Sequence, residues 1–131
     1  MSEGLPVRLL GNLSQAAVQD QISKARLVIL PSKCYETFSL VLRDSIAHGT
    51  PIAVSNLGPL PEIVSHLGPN LVFDPFNVSS VYETIKNLWS DDETLRQISN
   101  KFRTEYFGRY TPDKNYLALS NIYSSVVGNI G

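Results

Sequence analysis

Cysteine is nearly absent: Cys34 stands alone among 131 residues. No disulfide can form within the chain, so the sequence is expected to work in a reducing compartment, the cytoplasm. Long apolar runs are missing as well. No segment approaches the roughly 20 residues that span a bilayer. Met1–Pro6 also lacks the basic stretch and apolar run of a signal peptide. Charge is sparse and balanced, 18% of residues with a net of −1, which gives no broad attraction to nucleic acid or anionic lipid. Repeats and low-complexity tracts are lacking too. Asn12-Leu13-Ser14 and Asn77-Val78-Ser79 match the glycosylation pattern, but without an export signal chance explains them better.

What the chain does have is enough apolar content, 43%, for a single core, and residues 1–131 are expected to form one domain. Val7–Leu10, Leu27–Leu30, Ile52–Val54 and Leu71–Phe73 are short, nearly unbroken apolar runs. Such runs suit strands covered on both faces, as in a parallel sheet. Amphipathic stretches lie between the first three runs and after the last, so the fold class is α/β, with a parallel sheet flanked by helices. Ser14 is a good N-cap for a helix over 15–24. A helix over about 39–48 ends at Gly49, with Pro51 blocking its continuation. Ser79 or Ser80 can open a helix bearing Val81, Ile85 and Leu88 on one face. Asp91 or Asp92 opens another with Leu95, Ile98, Phe102 and Tyr106 in a stripe. Pro112 suits the first turn of a last helix, which carries Tyr116, Leu119, Tyr123 and Val126 at helical spacing. Four strands make a thin sheet, and the chain reads as a Rossmann-like half that lacks its first β/α units.

Ligands of an open parallel sheet bind beyond the carboxyl ends of its strands. Two loops are expected there, Pro31–Phe38 and Ser55–Glu62. The first leads into a helix whose opening amides, Phe38, Ser39, Leu40 and Val41, face outward and with the helix dipole suit phosphate oxygens. Thr37 and Ser39 can add hydroxyl donors. Asp44 follows Glu36 by eight positions and lies about 7.5 Å along the helix axis from Ser39. This spacing lets the amides hold a diphosphate while Asp44 accepts from ribose hydroxyls and Glu36 from a sugar. By spacing alone, both acids are also readable as solvated surface residues.

The segment Ile29–Ser55, with Pro31-Ser32, Glu36-Thr37-Phe38-Ser39, Asp44 and Gly49-Thr50-Pro51, resembles the donor-site signature of the GT-B fold glycosyltransferases of family 4. Gly58-Pro59-Leu60-Pro61-Glu62-Ile63-Val64 and Leu71–Pro75 resemble the segments that follow it. The resemblance runs from about Val7 to Tyr123. It implies the carboxyl-terminal, nucleotide-sugar-binding domain of a retaining, hexosyltransferase-type enzyme of polysaccharide or glycolipid biosynthesis. It also implies a separate amino-terminal domain for the acceptor, in cis or in trans, and no metal or other cofactor. Nucleic acid is not an implied partner, and any peripheral membrane contact is left to the other domain. In the motif, Glu36 corresponds to the residue that contacts the donor sugar and is the catalytic candidate. Asp44 corresponds to the ribose-binding residue, Phe38–Val41 to the diphosphate contacts, and Glu62 to a residue that fixes the adjoining loop. Thr37, Ser39 and Pro59 stand where the family has glycine, and Thr37 or Ser39 would be strained wherever a positive φ is required. Asp44 stands for Glu, which shortens its reach by about 1.5 Å. The family's basic pair has no counterpart, leaving Lys33, Arg43 and Arg26 as nearby cations.

Other residues carry blander expectations. His48 and His66 sit near glycines at helix ends, where positive charge suits the dipole. Cys34 has no neighbouring His to activate it. Trp89, Phe102 and Tyr106 read as core, and the last helix as a surface for a partner. Two other functions compete with sugar transfer. One is a degenerate, non-catalytic Rossmann-like module used for protein assembly. The other, weaker, is half of a sugar-nucleotide epimerase. The isolated chain is expected to turn over nothing.

Overall fold

A computed structural model describes residues 6–37, 39–109 and 111–127, with backbone alone for 106, 107 and 109. Ser14 opens helix α1, Gln15–Lys24, by accepting the Ala17 amide on its side chain. The chain then enters strand β1, Val28–Leu30. Helix α2, Leu40–His48, follows, then strand β2, Ile52–Ser55. A short helix α3, Leu60–Val64, leads to strand β3, Val72–Phe73. Three helices complete the chain: α4, Val78–Trp89; α5, Asp92–Arg109; and α6, Pro112–Val127.

The sheet is parallel, in the order β1-β2-β3. Val28 pairs with Ile52 and Leu30 with Val54, while Ser55 pairs with Phe73. The middle strand is buried along its whole length, which is why its sequence is apolar without alternation. Helix α2 packs on α1 and α5, and α4 on α5 and β3. Leu42, Ile46, Leu60, Val64, Leu67, Leu71, Ile98 and Phe102 join the strands in one core.

Local chemistry accounts for most ends. Gly49 closes α2 at φ 69°, with its amide bonded to the Ile46 carbonyl. A left-handed residue costs glycine nothing sterically. Asp91 caps α5 through the Thr94 amide at 2.9 Å, and Thr111 caps α6 through the Lys114 amide at 3.3 Å. Both sequon-like motifs supply caps: Ser14 for α1, and Asn77, not Ser79 or Ser80, for α4. Asn77 lies two or three residues before the expected opener, and its amide oxygen accepts from the Ser80 amide.

Several expectations are corrected. Val7–Leu10 forms no strand; Val7, Leu9 and Leu10 are exposed. An apolar run becomes a strand only beside a sheet edge that takes up its backbone groups, and Gly11 at φ 65° turns the chain toward α1. The sheet therefore has three strands, not four, among the described residues. Trp89 is 56% exposed rather than core. Its ring stacks under the Arg26 guanidinium, 4.9 Å from the centroid, where a cation–π contact offsets the incomplete burial. Phe102 is core as expected, and the Tyr106 side chain lies outside the described residues. Helix α6 does start at Pro112 as predicted, and Tyr116, Leu119, Tyr123 and Val126 are exposed, as expected of an apolar surface face.

Candidate functional site

The carboxyl ends of β1 and β2 are tied together by the Ser55 hydroxyl, which donates to the Leu30 carbonyl at 3.1 Å. Both expected loops leave from this edge. The loop after β1 holds Glu36, half-buried, and its carboxylate accepts a hydrogen bond from the Ser32 hydroxyl. The loop after β2 holds Gly58 at φ 59°. There a Cβ would lie 3.3 Å from the Glu36 carbonyl oxygen and 3.5 Å from the Tyr35 ring. The glycine thus lets the second loop press against the peptide that carries Glu36.

Helix α2 starts directly after this loop. Ser39 is its N-cap: its buried hydroxyl accepts from the Leu42 amide at 3.3 Å, and its carbonyl accepts from Arg43 at 3.1 Å. The Leu40 and Val41 amides belong to the first turn, where the helical ladder offers no acceptor. Asp44 is one turn further on and buried. Its Oδ1 takes both Arg43 Nη2, at 2.8 Å, and Arg43 Nε, at 3.2 Å. Oδ2 has no hydrogen-bond partner among the described residues.

The expected residues are therefore distributed unevenly. Glu36 is joined to Ser32 and to the Gly58 loop, and Asp44 to Arg43. Thr37 is exposed, and Phe38 lies outside the described residues. Ser39 caps α2, its hydroxyl oxygen accepting from the Leu42 amide. Its φ of −90° leaves no strain in replacing glycine, and Asn70 is the one non-glycine residue with positive φ among those described. The expected penalty at Thr37 and Ser39 is therefore absent. Pro59 is also accommodated: its φ of −79° is within proline's range, and its carbonyl accepts the Ile63 amide at 3.1 Å.

Arg26 leaves the set of cations near the loops. It precedes β1, at the opposite end of the sheet, where it pairs with Asp92 and donates to the Trp89 carbonyl at 2.8 Å. A polar cleft of about 380 Å³ opens at that end, lined by Arg26, His48, Thr50, Asp92, Ser99 and Arg103 among others. Its hydroxyls are already committed: Thr50 donates to the Ile22 carbonyl at 2.9 Å and Ser99 to that of Gly49 at 2.6 Å. These bonds fasten α1 and α5 to the end of α2, a structural task. His48 lies in the last turn of α2, near the helix end as expected. His66 lies 3.8 Å from Glu105. Cys34 is exposed, and Glu62 is an exposed residue of the first turn of α3. No described helix is long and apolar enough to cross a membrane.

Residue spacing does not reveal Ser32, Ser55 or Gly58 as parts of this site. The Gly58-Pro59 pair signals a turn, but its approach to Glu36 exists only in three dimensions.

The chain is similar to known transferases. It is 27% identical over 125 residues to an uncharacterized glycosyltransferase of Methanocaldococcus jannaschii, covering 95% of this chain and 32% of that protein. It is 27% identical over 118 residues to 2-deoxystreptamine N-acetyl-D-glucosaminyltransferase of Niallia circulans, covering 90% of this chain and 30% of that one. The chain thus spans about a third of the length of these relatives. Among solved structures, sucrose-phosphate synthase from Thermosynechococcus elongatus superposes with a TM-score of 0.76 at 22% identity, over 94% of this chain and 31% of that one. At that identity the likeness speaks for the fold, the Rossmann-like α/β architecture of GT-B enzymes. The family model described as glycosyl transferases group 1 matches residues 4–105, well over half of the chain, and the chain belongs to that family.

Proposed function

We propose that this chain is the carboxyl-terminal, donor-binding domain of a family 4 retaining glycosyltransferase. Joined to an acceptor-binding domain, it transfers a sugar from a nucleoside diphosphate to an acceptor hydroxyl. One observation carries the reading. Glu36 ends a loop, Asp44 lies on the second turn of the helix that follows, and the helix start between them stands at the carboxyl edge of a parallel sheet.

In this reading the Leu40 and Val41 amides, with the positive end of α2, receive the diphosphate. Phe38 and Thr37 complete the loop around it. Asp44 accepts from the ribose through Oδ2, while Arg43 holds Oδ1 and orients the carboxylate. Glu36 accepts from two sugar hydroxyls and holds the anomeric carbon toward the acceptor. As the bond to the diphosphate breaks, charge grows on the departing oxygens, and fixed amides stabilise it without reorganising. No metal or other cofactor enters these steps. The exposed apolar residues of α6, among them Tyr116, Ile122 and Tyr123, suit contact with the acceptor domain. The reaction belongs in the cytoplasm, in polysaccharide or glycolipid synthesis, with any peripheral membrane contact made by the other domain.

The Arg43–Asp44 pair also favours a second reading, a degenerate module used for assembly, because an internal partner already occupies part of the ribose acceptor. Calorimetric titration with UDP, GDP and their sugar conjugates separates the two. Donor binding predicts saturable heat with at least one nucleotide, weakened at least tenfold in Glu36→Ala for the sugar conjugate and in Asp44→Ala for both forms. Absence of saturable binding by every nucleotide would favour the module.

A further inference from the structure

We infer that Ser32 is a positioning residue for the donor sugar, acting through Glu36. The inference rests on the donor-site reading and extends it to a residue that the motif correspondence leaves without a role. Ser32 and Glu36 are four positions apart in a loop, not in a helix, so no regular backbone brings them together. Their contact is between side chains: the Ser32 hydroxyl donates to Glu36 Oε1, and both residues are half-buried. The peptide of Glu36 is backed from the other side by Gly58. The main chain of Glu36 is thus held by packing, and one carboxylate oxygen by the serine.

A glutamate in a loop has three side-chain torsions, and holding them costs rotamer entropy. One hydrogen bond to the charged group selects a carboxylate orientation before ligand arrives. Oε2 is left to accept from one sugar hydroxyl, and the lone pairs left on Oε1 can receive a second. Among the described residues the Ser32 hydroxyl bonds to Glu36 and to no first-turn amide of α2. Its removal therefore acts on the sugar and leaves the nucleotide contacts alone.

The test compares wild type, Ser32→Ala and Ser32→Thr, each titrated with UDP, UDP-glucose, UDP-N-acetylglucosamine, GDP and GDP-mannose. Thermal unfolding checks that each variant is folded. The informative quantity is the ratio of affinities for sugar conjugate and bare nucleotide. Ser32→Ala is expected to bind the bare nucleotide like wild type and to lose about five- to tenfold in that ratio. Ser32→Thr, which keeps a hydroxyl, is expected to recover it. Equal weakening of both ligand forms, or an unchanged ratio, would overturn the role of Ser32 while leaving the donor site standing. A failure of wild type to bind any of the five would overturn the donor site itself, and the inference with it.

Discussion

At Gly58 a φ of 59° and a backbone contact with Glu36 coincide. Alanine there meets two costs. The left-handed conformation costs an L-residue about 1–2 kcal/mol, and its Cβ would crowd the Glu36 carbonyl. Gly58→Ala is expected to lower stability by about that amount in urea unfolding and to weaken sugar-conjugate binding. Gly68 differs. Its φ is not left-handed, but a Cβ would fall 2.6 Å from Ile98 Cγ1, a core side chain that cannot swing away. Gly68→Ala is therefore expected to cost about 1–3 kcal/mol by overpacking, with nucleotide affinity unchanged once the variant is folded. Asp91 provides a pH signature. The Thr94 amide first, and the Thr94 hydroxyl second, hold its carboxyl below the usual value of 3.8. A depressed folded value means that the carboxylate's contribution is present above the unfolded value and is lost as pH falls through the folded one. The stability advantage of wild type over Asp91→Asn is expected to be full at neutral pH. It should shrink below pH 3.8; an advantage constant down to pH 2 on the same urea curves would contradict this.

Among the elements, those whose ends are set by local bonds were legible from the sequence. Ser14 and Gly49 each satisfy or close a helix with atoms a few residues away, so residue type and position suffice; Ser39, expected inside α2, is instead its N-cap. The start of α4 was misjudged because Asn77, Ser79 and Ser80 all have capping side chains, and only geometry chooses Asn77. Helix α3 was missed: five residues with a proline before and within them read as loop. Val7–Leu10 and Trp89 show a different limit, since apolar character states a preference for burial but does not supply the surface that buries it. Phe102 and the α6 residues make the contrast testable. Phe102→Ala empties a fully buried site and is expected to cost about 3–5 kcal/mol. Ile122→Ser on exposed α6 should change the stability of this chain by less than about 0.5 kcal/mol in the same urea experiment.

For the molecule as a whole, the α/β class and the parallel sheet followed from runs of apolar residues separated by amphipathic stretches. The candidate site was legible as two loops and two acids, which lie at the carboxyl edge of the sheet. What spacing did not carry was which neighbours those acids choose. Asp44 takes Arg43 and Glu36 takes Ser32, while Arg26, close in sequence to β1, works at the far end of the sheet. The proposed division of labour predicts that this chain by itself binds donor nucleotide without transferring sugar, because that proposal assigns the acceptor side of the cleft to a separate domain. The central claim is that nucleotide binds at the start of α2. The most direct measurement is a 15N NMR titration of the chain with UDP and GDP. The account predicts saturable shifts of the Leu40, Val41 and Asp44 amides with at least one of them. Shifts confined to the cleft around His48 and Arg103, or no saturable shift with either nucleotide, would contradict it.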